Sequence, residues 1–281
     1  MTDDLRPGGL PIHGGLPASS FTALLRSLEL PPRWDMPSHG AHGADGARGA
    51  HGAHGSGGVG APRATTILAL RYADGVLMVG DRQATDGYSI VHRRVQKVFP
   101  ADRFSAVAIA GTAGLALELV HLFQTELEHY EKLEGSRLSL EGKANHLSAM
   151  VRQYLPMAFQ GLVVVPLFCG YDDLEGRGRL YAYDVVGGRY EEQDYAATGS
   201  GGREAKAYLR GAFEPELGED QALRAGLGAL VAAAEEDTAT GGPDPRRGIF
   251  PNVVTVTATG VTEVGDERVS GLAREVLEGA S

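Results

Sequence analysis

The residue with the clearest chemical potential is a threonine at an abrupt change in composition. A leader rich in glycine, alanine and histidine ends at Pro62-Arg63-Ala64, and a run typical of a β-strand starts with Thr65. One interpretation is a linker that meets a β-rich domain, since threonine favours strands. The other is that the leader is removed and Thr65 becomes N-terminal. Its hydroxyl would then be a nucleophile, and its freed α-amine, with a pKa of about 8, could serve as the base.

Other motifs that carry chemistry are weak or absent in the sequence. There is no Gly-Xaa-Ser-Xaa-Gly elbow, no His-Glu-Xaa-Xaa-His pair and no phosphate-binding loop. Four histidines lie in a Gly-Ala-His repeat at 38–60, where nothing fixes a coordination geometry, so a solvated repeat is favoured over a metal site. The single cysteine, Cys169, excludes an internal disulfide. We therefore expect neither a metal nor a cofactor.

Composition narrows the class of protein. The chain has 281 residues, of which 43% are hydrophobic and 22% charged, as expected for a globular protein with a sizeable core. Its net charge of −10 argues against binding to nucleic acid or to an anionic membrane. No apolar run approaches the roughly 18 residues that a membrane helix needs. We expect a cytoplasmic enzyme or assembly subunit.

The elements that must position Thr65 follow from periodicity. Residues 1–64 are predicted to be a propeptide, largely disordered, with a short amphipathic helix near 20–29. Residues 65–281 form the predicted catalytic domain, which begins with a hairpin at Asp74-Gly75. Its order is strands, two long helices, strands, helix, strand and helix. This order predicts an α+β fold, a four-layer α-β-β-α sandwich of two antiparallel sheets.

Several sequence blocks in 65–281 together carry a family resemblance. They are TTILALRYADGVLMVGDRQAT, IAGTAG, ELEHYEKLEG, TGSG, DTATGGPD and RGIFP. In this order they resemble the β subunit of actinobacterial proteasomes, in the N-terminal-nucleophile hydrolase superfamily. The leader segment SSFTALLRSLEL is similar to the prosegment helix of that family. The resemblance implies a threonine endopeptidase that degrades unfolded proteins after autocatalytic removal of its propeptide.

The resemblance also implies roles for individual residues. Thr65 matches the nucleophile, and the cleavage site would lie between Ala64 and Thr65. Asp81 and Lys97 match a buried carboxylate and a lysine, and the ammonium would favour the threonine alkoxide. Gly111 matches the backbone N–H of the oxyanion hole. The polar cluster around the α-amine would consist of Ser200, Asp237 and Thr240.

Substrate would lie extended in a cleft and pair its backbone as an added strand. Thr85 and Gly111 match the positions that contact substrate backbone. The side-chain pocket would be lined by Ala84, Val95, Ile109 and Ala113, which predicts a preference for hydrophobic residues before the cut. The other interpretation is that Val95, Ile109 and Ala113 are ordinary sheet core.

By resemblance, the partners would be a proteasome α subunit, other β subunits in stacked seven-membered rings, an ATPase unfoldase and substrates tagged with a ubiquitin-like protein. The sequence departs from most relatives at Ala64, where glycine is usual, and at Gln83, where a basic residue is common. Two alternatives stay open: a divergent β-like subunit with a mainly structural role, and an amidase outside any ring. The complete set of Thr65, Asp81 and Lys97 favours the peptidase. The helix pair at 114–155, which in the family packs ring against ring, disfavours the amidase.

Overall fold

A computed structural model describes residues 65–86 and 89–279. The predicted propeptide and its helix near 20–29 lie outside these residues, so the domain boundary at 64/65 stays a prediction. The strands are β1 (Thr66–Tyr72), β2 (Gly75–Gly80), β3 (Ala84–Asp86), β4 (Ser89–His92), β5 (Val98–Asp102), β6 (Ser105–Gly111), β7 (Val164–Asp172), β8 (Arg177–Tyr183), β9 (Arg189–Glu192), β10 (Tyr195–Gly199), β11 (Asn252–Thr257) and β12 (Gly260–Glu263). The helices are α1 (Ala113–Glu134), α2 (Leu140–Gln153), α3 (Leu155–Ala158), α4 (Gly202–Ala212), α5 (Glu219–Glu236) and α6 (Asp266–Gly279).

Ten of the strands form two five-stranded sheets. The first has the order β10-β1-β2-β11-β12 and the second β5-β6-β7-β8-β9. Every neighbouring pair in both sheets is antiparallel. Strands β3 and β4 form a separate hairpin after β2. The predicted pair of antiparallel sheets is therefore confirmed.

Three apolar clusters separate four layers. The middle cluster lies between the two sheets and includes Ile67 and Leu167. Strand β1 turns its alternate side chains the other way, where Leu68 packs in a cluster with residues of α4, α5 and α6. On the outer face of the second sheet, Phe168 meets Phe123 of α1 edge to face, with ring centroids 5.7 Å apart. The four-layer sandwich is confirmed.

The two long helices begin and end where the sequence predicts. Helix α1 ends at Gly135, which takes the left-handed conformation with φ +67° that glycine adopts without strain. At the start of α2, the Ser139 side chain accepts the backbone N–H of Gly142 at 3.1 Å. No helix in the described part of the chain is both long and apolar enough to span a bilayer.

Several features differ from the sequence pattern. The two-residue turn of the first hairpin is Ala73-Asp74; Gly75 already belongs to β2, where a Cβ would lie 2.0 Å from the Val256 carbonyl oxygen. The segment RYEEQDYAATG divides between β9 of the second sheet and β10 of the first. Helix α4 is not among the predicted helices, because only Gly202, Ala205 and Leu209 of its residues are buried.

Candidate active site

Thr65 lies immediately before β1, an inner strand of the first sheet, and is only 6% exposed. Its carbonyl oxygen accepts the backbone N–H of Ser200 at 3.0 Å. Gly199 precedes that donor with φ +99°, and a Cβ there would lie 1.7 Å from the Thr65 carbonyl oxygen. The TGSG turn can therefore approach Thr65 this closely only because position 199 is glycine.

Asp81 follows β2. Because β2 runs antiparallel to β1, the end of β2 lies beside the start of β1. The fully buried Asp81 carboxylate accepts four donors. Its Oδ1 takes the Thr66 N–H at 2.8 Å and the Lys97 ammonium at 2.5 Å. Its Oδ2 takes the N–H groups of Gln83 at 2.9 Å and Gly241 at 3.0 Å. A buried carboxylate with this many donors is satisfied without solvent.

Lys97 lies just before β5 of the second sheet and points its ammonium across to the first. The side chain is 4% exposed, and Nζ contacts both Asp81 Oδ1 and the Gln83 carbonyl oxygen at 2.5 Å. Burial lowers the pKa of Lys97 below its ordinary value, although the neighbouring Asp81 charge opposes this. The pair therefore places a positively charged group, with a weakened hold on its proton, beside Thr65.

Gly111 ends β6 with φ +125°, a conformation that favours glycine. A Cβ at this position would lie 2.0 Å from the Val163 carbonyl oxygen. The neighbouring Thr112 N–H donates to that same oxygen at 2.8 Å. The sharp backbone geometry brings Gly111 into the wall of the cleft that contains Thr65.

Hydroxyl groups connect β1 to two loops. Thr66 Oγ1 lies 2.6 Å from Thr240 Oγ1, and Thr240 Oγ1 donates to Asp237 Oδ2 at 2.6 Å. The Gly201 N–H donates to Thr66 Oγ1 at 2.9 Å. Thr240 thus contacts Thr66, the neighbour of Thr65, and Asp237 contacts Thr240, whereas Ser200 contributes its backbone N–H to the Thr65 carbonyl.

A small cleft opens beside Thr65. It contains all four predicted pocket residues, whereas Thr85 is not among the residues that line it. The lining residues are Thr65, Ala84, Val95, Gln96, Lys97, Phe99, Ile109, Gly111, Ala113, Ala116 and Leu117. Apart from Lys97, the walls carry no charged side chain.

Three contributors to the site are missed by sequence reasoning. Gln83 binds Lys97 through its carbonyl oxygen and donates its side-chain Nε2 to the Thr238 carbonyl at 3.0 Å. Gly241 supplies an N–H to Asp81, and Thr66 supplies the linking hydroxyl. Thr66 is marked in the sequence only by its adjacency to Thr65, Gln83 only as a departure from relatives, and Gly241 by nothing that indicates its N–H contact. Within 65–86 and 89–279, no three histidine, cysteine or acidic side chains cluster as a metal site would require.

The four-layer sandwich of two antiparallel sheets is the fold of N-terminal-nucleophile hydrolases. The family model described as "Proteasome subunit" matches residues 61–243. A "Proteasome subunit beta" of Acidimicrobium ferrooxidans is 55% identical over 215 residues, covering 76% of this chain and 79% of the relative. One of Streptomyces griseus is 55% identical over 218 residues, covering 78% of each. The chain belongs to the proteasome subunit family.

Proposed function

We propose that the chain is the threonine endopeptidase subunit of a proteasome core, with Thr65 as its nucleophile after removal of residues 1–64. One observation carries the proposal: Thr65 lies immediately before β1 at the wall of a largely apolar cleft, beside the buried Asp81–Lys97 pair. A nucleophile, a cation that favours its alkoxide and a space for substrate are thus brought together.

Maturation uses the same hydroxyl before the amine is free. Lys97, through a water molecule, assists loss of the Thr65 hydroxyl proton, and Oγ1 attacks the Ala64 carbonyl carbon. The Gly111 N–H stabilises the oxyanion, the C–N bond breaks, and the nitrogen takes up a proton to become the α-amine. Water then hydrolyses the resulting ester, which releases the leader as a carboxylate and restores the hydroxyl.

In the mature subunit the α-amine of Thr65 replaces the bridging water as the base. It accepts the hydroxyl proton while Oγ1 attacks the scissile carbonyl, and it returns that proton to the leaving amine. Water then hydrolyses the acyl ester. The buried Asp81 holds the Lys97 ammonium in place, because a buried cation without a partner is costly. Asp237 and Thr240 orient the amine.

The cleft supports a preference for hydrophobic side chains before the cut. Ala84, Val95, Ile109 and Ala113 line it, and an apolar wall leaves a charged substrate side chain without partners. Thr85 is 5% exposed at the base of the β3–β4 hairpin, where its backbone would contact extended substrate. The pocket residues would then serve specificity in addition to packing.

Family membership and the surface of the described residues support assembly into a larger complex. Six exposed large apolar side chains lie on or near α1 and α3, where packing against other subunits would bury them. They are Leu117, Leu122, Tyr130, Leu133, Met157 and Phe159. We propose that the partners are a proteasome α subunit, further β subunits in stacked seven-membered rings and, through the α ring, an ATPase unfoldase. Isolated subunits should be inactive, because assembly must first hold the leader in the cleft.

A mainly structural, weakly active subunit is the second candidate, and Ala64 is the residue that favours it. A methyl group restricts the backbone that self-cleavage must distort. Gln83 does not favour this candidate, because its side chain and its carbonyl both take part in the site.

N-terminal mass spectrometry of the chain co-expressed with an α subunit tests the proposal. The wild type should start at Thr65 and cleave fluorogenic peptides. Thr65→Ala should stay unprocessed and inactive, Thr65→Ser should retain some processing, and Ala64→Gly should accelerate it. Release of the leader also removes Trp34, the only tryptophan, so the indole emission should disappear from the mature subunit. Fully active enzyme with residues 1–64 still joined to Thr65 would refute the free-amine mechanism.

A further inference from the structure

Thr66 occupies a position that the proposed mechanism does not use. It is fully buried, and it contacts both halves of the site. Its backbone N–H donates to Asp81 at 2.8 Å, on the side of Lys97. Its hydroxyl lies 2.6 Å from Thr240 Oγ1, on the side of Asp237. One residue therefore links the group that activates the nucleophile to the cluster that surrounds the α-amine.

The direction of the hydroxyl chain follows from donor counting. An ionised carboxylate accepts hydrogen bonds only, so the single hydroxyl proton of Thr240 goes to Asp237 at 2.6 Å. Thr240 must then accept from Thr66, whose only hydroxyl proton is used in that contact. Thr66 in turn accepts the Gly201 N–H at 2.9 Å. Gly201 therefore donates to Thr66, Thr66 donates to Thr240, and Thr240 donates to Asp237.

This direction determines what Thr240 can offer to the α-amine of Thr65. Its proton is committed to Asp237, so Thr240 can accept an N–H from the amine but cannot donate to the nitrogen lone pair. The lone pair stays available for the hydroxyl proton of Thr65, which is the condition for the amine to act as a base. We propose that Thr66 is a positioning residue whose hydroxyl holds Thr240 and the turn at 199–201 in this arrangement.

Close packing of the turn at 199–201 leaves little room for the Thr66 and Thr240 hydroxyls to be arranged differently. A Cβ on Gly201 would lie 2.7 Å from Thr240 Oγ1 and 2.9 Å from Thr66 Oγ1, so the turn approaches both hydroxyls closely. The next residue back in that turn, Ser200, donates its N–H to the Thr65 carbonyl. Valine at position 66 would match threonine in shape but would leave the buried Gly201 N–H without its acceptor and Thr240 without its donor.

The test compares Thr66→Val with Thr66→Ser in the mature, assembled enzyme. The matched control is Thr255→Val, at a threonine of β11 in the same sheet that is 5% exposed and outside the site. Loss of the two buried hydrogen bonds should lower kcat about tenfold in Thr66→Val. KM should change less than about twofold, because Thr66 does not line the cleft. Thr66→Ser should restore kcat, and the control should equal the wild type.

A pH–rate profile separates positioning from loss of structure. Without a fixed acceptor the ammonium form of the Thr65 amine is less stabilised, so the acid limb of kcat/KM should move to lower pH by roughly half a unit in Thr66→Val. It should return with Thr66→Ser. If kcat and the acid limb of the kcat/KM profile were both unchanged in Thr66→Val, the inference would be overturned. If Thr66→Val does not assemble, Thr66→Ala carries the same comparison with Thr66→Ser, and failure of Thr66→Ser as well would overturn it.

The inference rests on the proposed function, and the two can fail separately. Peptidase activity in Thr65→Ala would refute the nucleophile itself. Inactive Thr65→Ala together with fully active Thr66→Val would refute only the role of Thr66.

Discussion

Replacing Lys97 with methionine removes the ammonium next to Asp81 while keeping an unbranched side chain of similar length. Both partners are buried, with side chains 4% and 0% exposed. Removing one member of a buried pair costs about 3–5 kcal/mol of unfolding free energy. Asp81 keeps three backbone N–H donors, so we expect a loss near the lower limit, about 3 kcal/mol. For a domain of this size that is a fall in Tm of roughly 6–12 °C.

The stability measurement must compare proteins in the same state of processing. We therefore compare Thr65→Ala with Thr65→Ala/Lys97→Met, both of which should retain the leader, by circular dichroism during heating. Peptidase activity and the N-terminal mass are measured in the Lys97→Met single variant, which should remain uncut and inactive. Lys97→Arg keeps a positive charge, but its planar guanidinium should not reproduce the two 2.5 Å contacts, so it should not restore processing.

Two results would refute this reasoning. Normal processing in Lys97→Met would show that Thr65 does not depend on the lysine. A Tm within about 2 °C of the matched control, less than 1 kcal/mol for a domain of this size, would show that the buried pair contributes little to the folded state.

Three further predictions concern other parts of the molecule. The hydrogen bond from Arg179 lowers the pKa of Glu191, so ionised Glu191 adds to the free energy of unfolding above its ordinary pKa, and this contribution is lost as pH falls through the lowered pKa of the folded state. Arg179→Gln should therefore flatten the fall in Tm between about pH 5 and 3, and an unchanged slope of Tm against pH would contradict this. Burial raises the pKa of Cys169 to about 12, so iodoacetamide should alkylate it only after unfolding in guanidinium, as judged by mass; rapid labelling of the native protein would be the opposite result. Gln83→Ala removes the hydrogen bond to Thr238 and should slow processing about fivefold in a mass-spectrometric time course, whereas an unchanged rate would show that this contact is dispensable.

Local patterns in the sequence are sufficient for most of the secondary structure. Helix periodicity and end signals such as Ser139 and Gly135 act within a few residues, and α1 and α2 follow them. The order of strands and helices is likewise readable along the chain, and it predicts the four-layer sandwich. The composition change before Thr65 is also local, so the candidate nucleophile is visible without a structure.

The surroundings of Thr65 depend on contacts between distant parts of the chain. Thr66 and Thr240 lie 174 positions apart, and Asp81 and Gly241 lie 160 apart. Several of the groups involved are backbone atoms, such as the Gln83 carbonyl, which every residue type offers, and the Gly241 N–H, which every type but proline offers. Residue identity therefore carries no signal for them. Only the tertiary fold brings the loop at 237–241 to Thr66 and Asp81, and Lys97 of the second sheet to Asp81. It therefore decides the charge and hydrogen-bond environment in which Thr65 would react.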